Sequence, residues 1–260
     1  MRSLRWMSGV AVSLLVASCA SLPTAPPVPL RVGVTLNYQP LIFRLGDITA
    51  GVENDFAAEL AKELGRPLQL ITVPWELQID ELIAGRTDIV MSGLTITPER
   101  RARAAFCDSY MDNPLMAVVR RGETGRYPTV AAIKEMTGTI GVLPDTTADA
   151  FVRQHCPRAK IMSISSTEDV AFYLPNQRID LYLDDMAAVV DLALRYETRL
   201  ELLRFQLAPQ QMAWAVRADN VELRHQANQA LARWRADGEL DRILNRWMPY
   251  RFTLAKELGW

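Results

Sequence analysis

Short apolar runs alternate with stretches of helical periodicity along almost the whole chain, and this alternation restricts the possible architectures most. Leu30 to Leu36 is an apolar strand candidate. Asn54 is placed to cap a helix whose Phe56, Leu60 and Leu64 share one face, and Gly65 ends it. Leu68 to Val73 gives a second strand, Leu77 to Ala84 a short helix closed by Gly85, and Asp88 to Met91 a third strand. A βαβαβ order of this kind calls for a parallel sheet with helices on its faces. The pattern breaks at Phe106-Cys107-Asp108-Ser109-Tyr110, with Pro114 shortly after, and a second α/β unit follows. Its strands are expected at Leu115 to Val119, Thr139 to Leu143, Lys160 to Ile164 and Asp180 to Leu183. Its helices are expected at Val130 to Met136, Thr146 to His155, Thr167 to Leu174 and Met186 to Leu194. The chain then returns near Leu207 to Gln211 into a strand at Met212 to Val216, the long helix Asn220 to Ala236 and a last helix, Glu239 to Trp247. The prediction is two α/β lobes joined by two crossings, residues 30–110 and 211–260 forming lobe 1 and residues 111–210 lobe 2, with a cleft between them.

One segment supplies chemistry to that cleft. Ser92-Gly93-Leu94-Thr95-Ile96-Thr97-Pro98-Glu99-Arg100 follows a strand and opens a helix. Thr97 suits an N-cap, and Pro98 suits the first helical position because its missing N–H would have no intrahelical partner. Backbone N–H groups, the Thr95 hydroxyl and the planar fork of Arg100 together make an anion site. Other candidates for the cleft are Tyr38 after the first strand, Trp75 after the second, Thr146 and Thr147 at a helix start, and Asp185 at the end of a late strand. Phe43, Met91 and Met116 read as core.

The first residues have a separate purpose. Arg2 and Arg5 precede the apolar run Val10 to Val16, too short to span a bilayer, and Val16-Ala17-Ser18-Cys19 resembles the lipobox of a bacterial lipoprotein signal. That resemblance implies cleavage of residues 1–18 and acylation of Cys19. Residues 19–29, with Pro23, Pro26, Pro27 and Pro29, would form a stiff extended tether. Cleavage removes two arginines and no acid from a 260-residue chain of net charge −1, which argues against a nucleic-acid partner. The only histidines, His155 and His225, are far apart, and no P-loop, G-x-S-x-G or G-x-G-x-x-G occurs, so no metal site, cofactor site or catalytic motif is expected. Export would permit a disulfide between Cys107 and Cys156; their placement on different lobes leaves that pairing open.

Several segments resemble the bacterial solute-binding proteins of family 3, the polar amino-acid receptors of ABC importers. They are Gly51-Val52-Glu53-Asn54-Asp55-Phe56 with Leu60-Ala61, Ser92 to Arg100, Phe106 to Tyr110, Arg178 to Asp185, and Asp237-Gly238-Glu239-Leu240 through Trp247. The resemblance spans Leu30 to about Pro249. It implies a type II periplasmic-binding-protein fold with two hinge crossings, and a lipid-anchored monomeric receptor that works with an ABC permease outside the cytoplasm. By the same resemblance Arg100 and Thr95, with the N–H groups of Gly93 and Thr95, hold a ligand α-carboxylate. Asp185 accepts the α-ammonium, Thr147 adds a hydrogen bond, and Tyr38 and Trp75 sandwich the side chain. Thr35 stands where many members carry an acid, which points to a neutral or acidic amino acid and away from lysine or arginine. Asp145 and Gln177 stand where glycines are usual.

Two alternatives remain open at this level. Pro144 through Ile161 resembles periplasmic cyclohexadienyl dehydratases in Thr147, Phe151, Arg153 and Ala159, although Ala148-Asp149 replaces their Asn-Glu pair. A ligand sensor without a transporter would have the same sequence.

Overall fold

The computed structural model describes residues 27–258; the signal segment, Cys19 and the first prolines of the tether lie outside the described residues. Two five-stranded sheets carry the architecture. The first runs in the order Leu68–Thr72, Leu30–Val34, Ile89–Val90, Ala215–Val216, Ala105–Phe106. Leu30–Val34 pairs in parallel with both of its neighbours, as the βαβαβ reading required. The second runs Lys160–Ser163, Thr139–Val142, Leu181–Asp185, Leu115–Arg120, Leu200–Leu202, parallel over its first three strands and antiparallel at Leu115–Arg120. In both sheets the C-terminal ends of the parallel strands face the cleft, where loops can carry ligand groups.

The single strand expected at Met212 to Val216 is two. Gln211–Met212 pairs antiparallel with Met111–Asp112, and Ala215–Val216 joins the first sheet. The two chain crossings therefore lie side by side as a short ribbon. The sequence pattern gives no sign of a small three-stranded antiparallel sheet, Asn37–Tyr38, Ile42–Leu45 and Ile48–Ala50, whose second turn uses Gly46 at φ 60°. Helix Val52–Glu63 starts one turn earlier than expected. Its N-cap is Gly51, at φ 116°, where a Cβ would lie 2.4 Å from the Leu41 carbonyl oxygen, and Asn54 is helical rather than capping.

Lobe 1 is built around fully buried Trp214, which packs edge-on to Phe56 at 5.6 Å and near Trp234 at 6.0 Å. Phe56 stacks on Trp234 at 5.8 Å. Leu115, Val119, Ile140 and Leu183 centre one core of lobe 2, and Met116, Tyr182 and Val189 a second on its other face. Cys107 belongs to the first lobe's core and Cys156 to the second's; both are free. The C-terminal helix Arg251–Leu258 departs from the expected division. Leu254 is buried in the core of lobe 2 with Tyr182 and Val189, and Arg204 pairs with Glu257 at 2.9 Å. Tyr250 packs against the cores of both lobes, and Arg251 still reaches back to Asp241 at 2.7 Å. An apolar face of three or four residues follows whichever core is near, which local sequence does not specify.

Candidate functional site

A cavity of about 300 Å³ lies between the lobes. Lobe 1 lines it with Thr35, Tyr38, Trp75, Glu76, Gly93, Thr95 and Arg100, and lobe 2 with Asp145, Thr146, Thr147, Asp184 and Asp185. Tyr38, Trp75, Gly93, Thr95, Arg100, Thr147 and Asp185, to which the resemblance gives ligand contacts, all line this cavity, as does Thr146.

Strand Ile89–Val90 leads into the Ser92–Thr97 segment, and helix Pro98–Arg101 is capped by the Thr97 hydroxyl, which accepts from the Arg100 N–H at 3.2 Å. The cap and the short helix fix the root of the Arg100 side chain. One guanidinium nitrogen donates to the Thr95 carbonyl at 3.0 Å, and the group lies 5.2 Å from the centre of the Trp75 ring. Burial lowers the Arg100 pKa from its ordinary value, with the charge of Asp185 pulling the other way. The remaining guanidinium donors are available to a carboxylate.

Asp185 ends strand Leu181–Asp185 on the opposite wall. It is the N-cap residue of helix Met186–Arg195 yet makes no side-chain capping bond. One carboxylate oxygen accepts from the Tyr38 hydroxyl at 2.6 Å; the other, Oδ1, is buried without a partner. Burial raises the Asp185 carboxyl, and the neighbouring Asp184 raises it further. Asp184 itself is spent on the Tyr182 hydroxyl and the Asp185 N–H. An unpaired buried carboxylate oxygen is costly and asks for a donor, ideally a cationic one.

Three expectations change here. The Gly93 N–H does not point into the cavity for a ligand; it donates to buried Glu53 at 2.7 Å. Tyr38 contributes its hydroxyl, to Asp185, as well as its ring. The Thr147 hydroxyl donates to Gln210 at 3.3 Å, while Thr146 caps the helix by accepting from the Asp149 N–H at 3.2 Å. The two unusual residues at glycine positions both adopt left-handed backbone, Asp145 at φ 59° and Gln177 at φ 57°. Asp145 also presents its carbonyl to the Trp75 indole N–H at 3.0 Å, bridging the lobes. Thr35 is occupied within lobe 1, donating to the Val73 carbonyl at 2.9 Å and accepting from Gln78 at 2.8 Å. Sequence reasoning missed Glu76, exposed at the mouth; its position next to Trp75 was the available signal.

Gly93 is required by geometry as well as by backbone. It sits at φ 67°, and a Cβ would lie 2.7 Å from the Tyr38 ring and 2.9 Å from Leu41. Gly93→Ala is expected to cost roughly 1–3 kcal/mol of stability and to displace Tyr38 from Asp185. A melting curve checks the first effect, and an unchanged midpoint would refute it.

The residues 30–250 match the family described as bacterial extracellular solute-binding proteins, family 3. The chain belongs to this family. It is 28% identical over 219 residues to the L-cystine-binding protein TcyJ of Escherichia coli (strain K12), covering 84% of this chain and 82% of that protein. It is 26% identical to the cyclohexadienyl dehydratase of Pseudomonas aeruginosa, covering 87% and 85%. The crystal structure of the ancestral amino acid-binding protein AncCDT-1, a precursor of cyclohexadienyl dehydratase, superposes with a TM-score of 0.79 at 26% identity, over 84% of this chain and 95% of that one. The fold of this solute-binding protein is the type II periplasmic-binding-protein fold.

Proposed function

We propose that this family member is the substrate receptor of an amino-acid ABC importer, anchored through Cys19 on the extracytoplasmic side of a membrane. The observation that carries the reading is the placement of the half-buried Arg100 guanidinium and the unpartnered Oδ1 of Asp185 on opposite walls of one cavity. A fork of donors on one wall and an orphan carboxylate oxygen on the other complement the two charges of an amino-acid zwitterion. Thr95 and Arg100 would hold the α-carboxylate, Asp185 the α-ammonium, Thr147 a further polar atom, and Tyr38 and Trp75 the side chain. Because the groups come from both lobes, only the closed arrangement engages all of them, so a ligand shifts the population toward closure.

Of the neutral and acidic amino acids that the sequence suggests, the neutral ones fit better. Glu76, Asp145, Asp184 and Asp185 line the cavity against a single arginine, so an acidic side chain would meet only like charge there. The exposed carboxylates of Glu76 and Asp145 reopen the case for a basic side chain, which Thr35 alone argued against.

An enzyme on this fold would need a general acid facing the substrate. Asp149, which stands in the dehydratase-like Asn-Glu region, does not line the cavity; it is ion-paired with Arg153 at 2.9 Å. This removes the acid of the dehydratase-like segment from the cavity, so a dehydratase would have to use another lining acid such as Asp185, whose carboxyl burial raises. The decisive experiment is a melting panel of residues 30–260 with the standard L-amino acids, alongside prephenate and arogenate. One or a few neutral amino acids are expected to raise the midpoint by the mass-action term. No shift with any amino acid, together with turnover of prephenate or arogenate, would overturn the reading.

A further inference from the structure

Glu53 is a fully buried acid with no basic partner among the described residues, in the first turn of helix Val52–Glu63. Its Oε1 accepts from the Gly93 N–H and the Tyr110 hydroxyl, each at 2.7 Å, and its Oε2 accepts from the Trp214 indole N–H at 3.0 Å. These three donors lie at three functionally distinct places. Gly93 is in the Ser92–Arg100 loop. Tyr110 immediately precedes the first crossing strand, Met111–Asp112. Trp214 follows the second, Gln211–Met212, by two residues. Beyond the crossings the network continues: Asn113 donates to the Met212 sulfur at 3.2 Å and accepts from the Ala187 N–H at 2.9 Å, two residues after Asp185.

We propose that Glu53 is a positioning residue that fastens the ligand loop to both chain crossings, so that the loop and the hinge reach binding geometry as one unit. This rests on the reading of Ser92–Arg100 as the ligand's carboxylate site. The chemistry of the three partners selects a carboxylate. All of them donate, and a carboxylate has lone pairs for all three, whereas an amide has one acceptor oxygen and would turn an N–H₂ toward a donor. An uncompensated buried carboxylate is an expensive way to stabilise a core, where an apolar residue would serve better. Its cost is consistent with a geometric task at the junction of three segments.

Burial pushes the Glu53 carboxyl up to about 7, against the pull of its three hydrogen bonds. The titratable group in contact with it is Tyr110. The Gly93 and Trp214 donors do not titrate; beyond Tyr110, Asp185 acts on its hydroxyl, and Tyr110 in turn acts on Tyr38. Protonation would therefore place a hydrogen among donors and loosen the junction near neutral pH.

The test is made on ligand-free protein, wild type against Glu53→Gln. Amide exchange should rise about tenfold at residues 91–96 and 211–216 together, and stay unchanged in the second lobe's sheet. The Trp214 indole resonance should titrate with a midpoint near 7 in the wild type and not in the variant. The amino-acid melting panel should lose at least half of its shift in the variant. Exchange that rises only around residue 53, or an indole titration that persists in Glu53→Gln, would overturn the proposal. If Glu53→Gln does not fold, Tyr110→Phe and Trp214→Phe each remove one donor and should loosen residues 91–96; unchanged exchange in both would likewise overturn it. A wild type that responds to no amino acid refutes the receptor reading, while the exchange and titration results still judge Glu53.

Discussion

Arg100→Ala is expected to abolish the ligand-induced rise in melting temperature at ligand concentrations that saturate the wild type. Two charge-assisted bonds to a carboxylate, each contributing roughly 1.5–3 kcal/mol when buried, correspond to a loss of about two to four decades in affinity. The unliganded protein should change much less. The side chain makes one hydrogen bond, to the Thr95 carbonyl, and covers the Trp75 ring, so its removal should cost about 1 kcal/mol. Arg100→Lys should fall between, because lysine keeps the charge and loses the fork. Calorimetric titration of the three proteins checks the order. An alanine variant that binds like the wild type would remove Arg100 from the site.

Asp185→Asn should separate binding from stability in opposite directions. The asparagine keeps the shape and loses the charge, so the ammonium site weakens by about a hundredfold or more. The unliganded variant should melt at the same temperature as the wild type or higher. Burial and the Asp184 charge raise the Asp185 carboxyl in the folded protein. The folded state therefore holds a proton at pH values where the unfolded chain, titrating near the ordinary value of about 4, has released it. The contribution of this group to the stability of the unliganded wild type consequently falls as pH rises from the acidic range toward neutrality, and Asp185→Asn removes that contribution. A bound ammonium compensates the charge, so the melting shift from ligand should grow over the same interval. Melting curves across pH, with and without ligand, measure both slopes. A variant less stable than the wild type at neutral pH would show that the carboxylate has a compensating partner.

Much of this arrangement is legible from local chemistry. The Thr97 cap, the Pro98 start and the strand before Ser92 are short-range signals, and the structure places them where the sequence indicates. Tyr38, Trp75, Gly93, Thr95, Arg100, Thr147 and Asp185 share one cavity because each follows or ends a strand, and strand ends converge at a cleft in an α/β fold. The small sheet at Asn37–Ala50 leaves no readable pattern because its strands are two to four residues long and only Leu41, Ile42, Phe43 and Ala50 bury apolar side chains there. Asp145 and Gln177 at glycine positions marked left-handed backbone that the residue types themselves would not have suggested.

What the sequence by itself determined is the order of the main elements, the capped helix after Ser92–Ile96 and the set of residues that strand ends deliver to a cleft. Those follow from periodicity and capping, which act over a few residues. The tertiary structure decided how the polar atoms are allotted: the Gly93 N–H to Glu53, 40 positions away; the Tyr38 hydroxyl to Asp185, 147 away; and the Trp214 indole to Glu53, 161 away. It also decided that the helix Arg251–Leu258 packs on lobe 2. A buried donor or acceptor must find a partner wherever the folded chain brings one. That partner is fixed by the crossing of two lobes and by core packing, not by the residues on either side of it.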